Sequence, residues 1–382
     1  MIPLTRPWID EADIEAVTDV LRSGWLTQGS RVARFEEAFR HRVGASDAIA
    51  VSSCTTALQQ ALHVVGVGPG DDVLVPSFSF IATTAVVAHT GARPVFADVD
   101  LATGNVDVDT LEAAVTPSTR AVIAVHQAGV PLHLPALSAW CDARDVPLIE
   151  DAACALGATC DGSPIGADAY MAAFSFHPRK VLTTGEGGML VTRDADVGQR
   201  LRQLRDHGSS LSAAARERAP GAGSTVVEQY LEMGFNHRMT DLQGALGEVQ
   251  LTRLTDMIAR RRARAARYHD LLRHLPGVHP VRDPAWGTGT YQSFWIRLEG
   301  ATRHDRDHVM EHLARRDIST RRGIMATHRE PASTALSTGW LAPGGLHTTE
   351  QLSDTSLIVP LWHHMTDDDQ DRVVHALGEV WS

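Results

Sequence analysis

Phe174-Ser175-Phe176-His177-Pro178-Arg179-Lys180, continued by Thr183-Thr184-Gly185-Glu186-Gly187-Gly188, sets a lysine after an apolar run and directly before a turn crowded with glycine. Upstream, Val146-Pro147-Leu148-Ile149-Glu150-Asp151 ends a second apolar run with an acid. Around these two runs the chain alternates short β-rich stretches with helical patterns. Ala48–Val51, Asp72–Pro76, Pro94–Asp98, Ala121–Val125 and Pro147–Glu150 read as strands; Ala57–Leu62 and Ile81–Val87 read as helices between them. Strands that are apolar throughout and separated by helices predict a mainly parallel sheet covered on both faces, an α/β fold. In such sheets ligands sit beyond the carboxyl ends of the strands, where Asp151 and the loop after Val51 both fall.

A lysine and an aspartate presented by neighbouring buried strands suit pyridoxal phosphate (PLP) chemistry. The lysine forms a Schiff base with the aldehyde, and the aspartate keeps the pyridinium nitrogen protonated so that the ring accepts electrons. A lone lysine after a strand is more commonly a surface residue. Asp151 and the glycine turn shift the reading of Lys180 towards chemistry.

The bulk properties narrow the class. A chain of 382 residues with 43% hydrophobic and 21% charged residues resembles a globular enzyme. Its net charge of −11 lacks the basic footprint of a nucleic-acid binder. Cys54, Cys141, Cys154 and Cys160 form no CxxC pair, which fits a reducing cytoplasm. No secretory signal and no bilayer-spanning run is expected. The 19 histidines show no metal-ligand spacing, so no metal is expected.

Residues 209–224, rich in Ser, Ala and Gly, read as a mobile loop. A helical pattern through Leu242, Ala245, Leu246 and Val249 continues to Leu254 and Ile258. The arginines that follow, Arg260, Arg261, Arg262, Arg264 and Arg267, read as a solvated or inter-subunit helix face. The division expected is a large cofactor-binding domain over residues 1–250 and a smaller α+β domain over 251–382.

In order along the chain, Ser23-Gly24-Trp25-Leu26-Thr27-Gln28-Gly29, Glu150-Asp151-Ala152-Ala153, Ser175-Phe176-His177-Pro178-Arg179-Lys180, Gly234-Phe235-Asn236-His237-Arg238-Met239-Thr240-Asp241 and Val359-Pro360-Leu361 with Met365-Thr366 resemble the DegT–StrS family of sugar-nucleotide aminotransferases, of the fold-type I PLP enzymes. The resemblance implies an internal Schiff base on Lys180 and a ring partner in Asp151. It implies an amino acid donor such as L-glutamate and a keto-sugar nucleotide acceptor, of the 4-keto type by the pattern Val125-His126-Gln127-Ala128-Gly129. A homodimer with shared active sites follows from the same source.

Ser52-Ser53-Cys54-Thr55-Thr56 follows a strand and opens a helix, so free N–H groups there should face an anion, with Cys54 and Thr55 at the cofactor and N-capping as the plainer role of Thr55. By resemblance, Ser175 also reaches the phosphate, and Asn236 reaches it from the neighbouring subunit. Phe80 matches the family's ring-stacking position, and Phe78 reads as core. Cys154 stands where relatives commonly carry Gln or His near the cofactor's phenolic oxygen, and a thiol is a weaker partner. By the same resemblance Thr27, Arg238, Arg321 and His328 fall on the substrate side; Arg321 and Arg322 suit a diphosphate or carboxylate, or are equally a solvated pair of charges.

Three other readings stand beside this one. A keto-cyclitol or another small ketone could replace the sugar. A deoxysugar dehydratase of this family would carry histidine in place of Lys180. A non-catalytic regulatory protein could keep the fold, although the Lys180/Asp151 pair and the acidic charge speak against it.

Overall fold

The computed structural model describes residues 1–211, 227–335 and 340–381, so most of the expected 209–224 loop lies outside the described residues. Its centre is an eight-stranded sheet of β1 (Asp47–Val51), β2 (Asp72–Pro76), β3 (Arg93–Ala97), β4 (Thr119–Val125), β5 (Leu148–Asp151), β8 (Met171–Ser175), β9 (Gly188–Thr192) and β14 (Trp340–Leu341), in the order β1-β9-β8-β5-β4-β2-β3-β14. β9 pairs antiparallel with both β1 and β8, while the pairs from β8 to β14 are all parallel. β9 alone therefore runs against the rest. The carboxyl ends of β1, β5 and β8 share one edge, as the apolar runs predict.

Helices α2 (Ser30–Val43), α3 (Cys54–Val64), α4 (Ile81–His89), α5 (Val108–Ala114), α6 (Leu134–Asp142) and α7 (Ala195–Leu204) flank the sheet, while α1 (Glu11–Ser23) packs mainly on the later helix Asp241–Thr252. The period of two along β8 turns Phe174 and the following Phe176 towards α2, where they meet Phe39 and Phe35 edge-on with centroids 5.2 Å apart in each pair. Ser175 between them is turned the other way, towards the site edge.

Two short strands, β6 (Thr159–Cys160) and β7 (Ser163–Pro164), join β11 (Gly287–Thr288) in a small sheet. A four-stranded antiparallel sheet, β10 (Val278–Pro280), β12 (Phe294–Leu298), β15 (Ser356–Val359) and β13 (Arg321–Arg322), carries the C-terminal region. One apolar cluster runs from Leu74 and Val122 of the large sheet, through Phe78 just beyond β2, to Trp295, Leu298 and Leu357 of the smaller one. Chain ends cross over as well: Ile2 bridges Ile318, and β14 extends the large sheet beside β3.

Helix α8 (Asp241–Thr252) leads into α9 (Leu254–Leu272), and α8 lies tightly against α2. The approach is close enough that a Cβ on Gly244 would fall 2.8 Å from the Val32 nitrogen. The start of α2 has no capping side chain of its own. Asp241, 2% exposed, supplies one from across the interface, accepting from the N–H groups of Gly29 (2.8 Å), Val32 (3.0 Å) and Arg31 (3.2 Å).

The arginine-rich face of α9 differs from the expectation of a solvated or inter-subunit surface. Arg261 is fully buried and donates to the carbonyls of Gln292 (2.7 Å), Tyr291 (3.0 Å) and Leu361 (3.3 Å). Arg262 reaches the carbonyls of Gly289 and Gly157, and Arg264 and Arg267 pair with Asp367 and Asp371. Sequence pattern alone does not reveal these acceptors, because they are backbone oxygens brought in from distant loops. Among the described residues, no helix is long and apolar enough to cross a membrane.

Asp241→Ala strands three N–H groups at the start of α2. The expected loss is roughly 2–3 kcal/mol, set by the cost of an uncapped, partly buried helix start, and is read as a lower urea midpoint.

Candidate active site

Lys180 is the only lysine in the chain; the other basic residues counted with it are arginines. It lies in the loop that leaves β8, and that loop is tied back on itself. Phe176 N–H donates to the Gly187 carbonyl (2.9 Å), Thr184 N–H to the Phe176 carbonyl (3.0 Å) and Lys180 N–H to the His177 carbonyl (2.8 Å). Gln292 holds the Arg179 carbonyl at 2.7 Å from the other side. The lysine Nζ ends 3.2 Å from the Cys154 Sγ. Cys154 is itself fixed, its carbonyl accepting from Thr290 Oγ1 at 2.7 Å.

Asp151 closes β5 and is 6% exposed. Its Oδ2 accepts from Thr83 Oγ1 (3.0 Å) and its Oδ1 from the Ala153 N–H (3.1 Å), with the Cys54 Sγ 3.9 Å from Oδ1. Burial pushes its pKa up, and the Ala153 N–H, the Lys180 ammonium and the Thr83 hydroxyl oppose that rise. Burial works to lower the Lys180 pKa, but Cys154, Cys54 and Asp151 around the amine outweigh it and the net direction is upward. The cation and the carboxylate thus sustain each other's charge. Behind β5, the buried Glu150 faces His126 Nε2 at 3.1 Å; because His126 Nδ1 accepts from the Leu132 N–H (3.1 Å), Nε2 carries the proton and donates.

The third element is the start of α3. Ser53 is its N-cap, accepting from the Thr56 N–H, and the Thr56 hydroxyl accepts from the Ser53 N–H in return. The capping expected as the plainer role of Thr55 falls instead to Ser53 and Thr56. That leaves the Cys54 and Thr55 end of α3 turned to the site edge. Gly188 sits between the ends of two strands, in register with Val51 of β1 and Ser175 of β8. A Cβ on Gly188 would fall 2.4 Å from the Ser53 carbonyl carbon and 2.6 Å from the Cys54 nitrogen. The glycine-crowded turn therefore lets β9 pass directly against the helix start.

The expected residues divide into two groups. Lys180, Asp151, Cys54 and Cys154 converge within a few ångströms, with Thr55 and the half-buried Ser175 beside them. Phe78 is core against Trp295, while Phe80, at the N-cap of α4, is 60% exposed. Asn236 and Thr27 are exposed. The segment after Asn236 is pinned to the end of β1, where Ser52 N–H donates to the His237 carbonyl at 2.8 Å. Arg238 is paired with Asp206 and Arg322 with Glu330, while Arg321 is exposed on β13. His328 is held between Ser77 Oγ (2.6 Å) and Glu350 (3.2 Å). Burial lowers the His328 pKa, with Glu350 opposing.

Thr83 is a site residue that the sequence does not announce, since it lies 68 positions from Asp151 in an ordinary helical pattern. The signal available for Lys180 was stronger than motif alone: a chain with one lysine offers a single side-chain amine.

Residues 7–378 match the model of the DegT/DnrJ/EryC1/StrS aminotransferase family. The UDP-4-amino-4-deoxy-L-arabinose–oxoglutarate aminotransferase of Shewanella sediminis is 35% identical over 389 residues, covering 99% of this chain and 98% of that protein. Among solved structures, the aminotransferase TlmJ from Streptoalloteichus hindustanus has a TM-score of 0.89 at 33% identity, covering 100% of this chain and 98% of its own. Spr1654 of Streptococcus pneumoniae, a candidate sugar aminotransferase, has a TM-score of 0.90 in its PLP form at 27% identity, covering 99% and 98%.

Gly188→Ala forces β9 and the start of α3 apart. A loss of roughly 1–3 kcal/mol in stability is expected from the overpacking, together with a PLP dissociation constant raised about tenfold or more in equilibrium dialysis.

Proposed function

The chain belongs to the DegT/DnrJ/EryC1/StrS aminotransferase family and is a PLP-dependent aminotransferase; from that premise we propose that it transfers an amino group from L-glutamate to a 4-keto sugar carried on a nucleoside diphosphate. The observation that carries the proposal is the convergence of the sole lysine, a buried aspartate and a helix start at one sheet edge. The family's cofactor fits these groups: an amine for its aldehyde, a carboxylate for its ring nitrogen and an N-terminal helix end for its phosphate.

When bound, PLP supplies an aldehyde that exchanges amines and a ring that takes up electrons from the carbon bearing the amine. The rest is the work of this chain. Lys180 Nζ would hold the cofactor and, once released by the incoming donor amine, would move the proton from carbon to carbon as a general base and then acid. Asp151 would hold a negative charge for the ring nitrogen, and its burial makes that charge count for more than it would in water. The start of α3, Thr55 and Ser175 would take the phosphate. Phe80, exposed at the N-cap of α4, would supply the stacking ring. Cys154, beside the lysine amine, would offer only a weak donor to the phenolic oxygen.

Two features support the acceptor class. The Shewanella relative is named for a UDP-linked amino sugar. Arg321, exposed on β13, offers a guanidinium suited to a diphosphate. His328 is already engaged by Ser77 and Glu350, so it serves by holding the 318–328 segment in place. Lys180 counts against the dehydratase reading.

The assembly proposed is a homodimer. Thr27, Phe80 and Asn236 are exposed on the single chain, as are Tyr230 (65%) and Met233 (93%). A two-fold partner would cover them and bring Asn236 to the neighbouring phosphate.

Borohydride treatment of the holoenzyme followed by peptide mapping should place the label on Lys180; the only competing amine is the N-terminus at Met1, and label there contradicts the assignment. Lys180→Ala should lose transamination by at least a thousandfold while keeping its fold, as expected on removing a covalent catalyst. Lys180→Ala and Asn236→Asp chains, each inactive alone, should regain part of the activity as mixed dimers. One interface site then carries both lesions and the other none. An active monomer in sedimentation contradicts the shared site.

A further inference from the structure

Asp151 is approached from α4 by a directed chain of hydroxyls. The single hydroxyl proton of Thr83 goes to Asp151 Oδ2 (3.0 Å), so the 3.0 Å contact between Ser79 Oγ and Thr83 Oγ1 must run from serine to threonine. Both side chains are 1% exposed, and each donor polarises the next towards the carboxylate. The far end of the chain is fastened to the C-terminal region. Ser79 N–H donates to the Met325 carbonyl at 3.2 Å, Thr327 N–H to the Ser77 carbonyl at 2.7 Å, and Phe78 bridges Ala326.

We infer that Thr83 is a positioning residue for the transamination, holding Asp151 ionised and in one orientation through its hydroxyl, with Ser79 orienting Thr83. The inference rests on the reading of Asp151 as the ring-nitrogen partner. The other groups facing the carboxylate are Lys180 from the loop after β8, His126 after β4 and the Cys54 thiol on α3. The Ala153 N–H and the Cys54 thiol both lie on Oδ1, so among the described residues Thr83 is the hydrogen-bond donor to Oδ2. Without it the carboxylate can turn about its own bond.

The sign follows from the environment. Burial raises the Asp151 pKa and the Thr83 hydroxyl opposes that rise. Removing the hydroxyl raises it further, so the ionised form, and with it the grip on the ring nitrogen, is lost at a higher pH as the solution is acidified.

The experiment is the pH dependence of the PLP dissociation constant, measured by equilibrium dialysis on the full chain. Thr83→Val keeps the shape and removes the hydroxyl; Thr83→Ser keeps the hydroxyl; Asp151→Asn is the reference. For Thr83→Val the acid-side midpoint of cofactor binding should move up by about one pH unit, the worth of one hydrogen bond to a charged group, with alkaline binding close to wild type. Thr83→Ser should restore the wild-type midpoint, and Ser79→Ala should shift it in the same direction by less. A wild-type midpoint in folded Thr83→Val, accompanied only by a lower unfolding temperature, overturns the inference. Should Thr83→Val not fold, an unshifted Ser79→Ala midpoint overturns it equally. If Asp151→Asn itself binds PLP and turns over like wild type, the reading of Asp151 falls first; a damaged Asp151→Asn beside an unaffected Thr83→Val defeats this inference alone.

Discussion

Asp151 carries a carboxylate where water has little access, and much of the surrounding architecture replaces the missing solvent. An isolated buried charge would take up a proton rather than persist. Here the Ala153 N–H, the Thr83 hydroxyl and the Lys180 ammonium all act to keep it ionised, against the desolvation that acts to neutralise it. Each of these donors comes from a different place in the chain: the turn after β5, the first turn of α4 and the loop after β8. The requirement to charge one side chain thus ties three connections of the sheet together. It also explains why the aspartate ends β5 and the lysine follows its parallel neighbour β8, so that the carboxyl ends of the two strands deliver both to the same edge.

The second constraint is steric. β9 is the single reversed strand of the large sheet, and its first residue lies between the ends of β1 and β8 and against the backbone of Ser53 and Cys54. Only a residue without a Cβ lets these four backbones meet. The polarity of the α3 start is then brought within reach of the same edge that holds Lys180 and Asp151. Charge and close packing, which usually oppose one another in a protein interior, would be reconciled by a ligand offering an anion to the helix start and a cation to the carboxylate.

How much of this could be read from the residues depends on whether the cause was local. The apolar runs, the acid ending one of them and the lysine ending another are local, and they carried the parallel sheet and the heart of the site. The reversal of β9 is not local, because Gly188–Thr192 reads as one more apolar run whichever way it points. Asp241 capping α2 and Thr83 reaching Asp151 are contacts across 212 and 68 positions, and neither residue type is unusual where it stands. Burial of Arg261 is hidden for the same reason: its partners are carbonyls, which leave no mark in the sequence. Thr55 was one residue off as a cap, since Ser53 and Thr56 satisfy the reciprocal geometry better.

The segment 318–328 draws these threads together. In the sequence it showed two arginines and a histidine, which suggested direct contact with an anionic acceptor. In the structure Arg322 and His328 are engaged by Glu330, Ser77 and Glu350, and the backbone of Met325 and Thr327 is bonded to Ser79 and Ser77. A segment bound in this way cannot shift without disturbing the β2–α4 connection, and that connection carries the hydroxyls that end on Asp151. An acceptor resting against 318–328 would therefore press on the same scaffold that holds the Asp151 carboxylate. The 318–328 segment and the β2–α4 connection are thus joined by a set of short, largely buried hydrogen bonds.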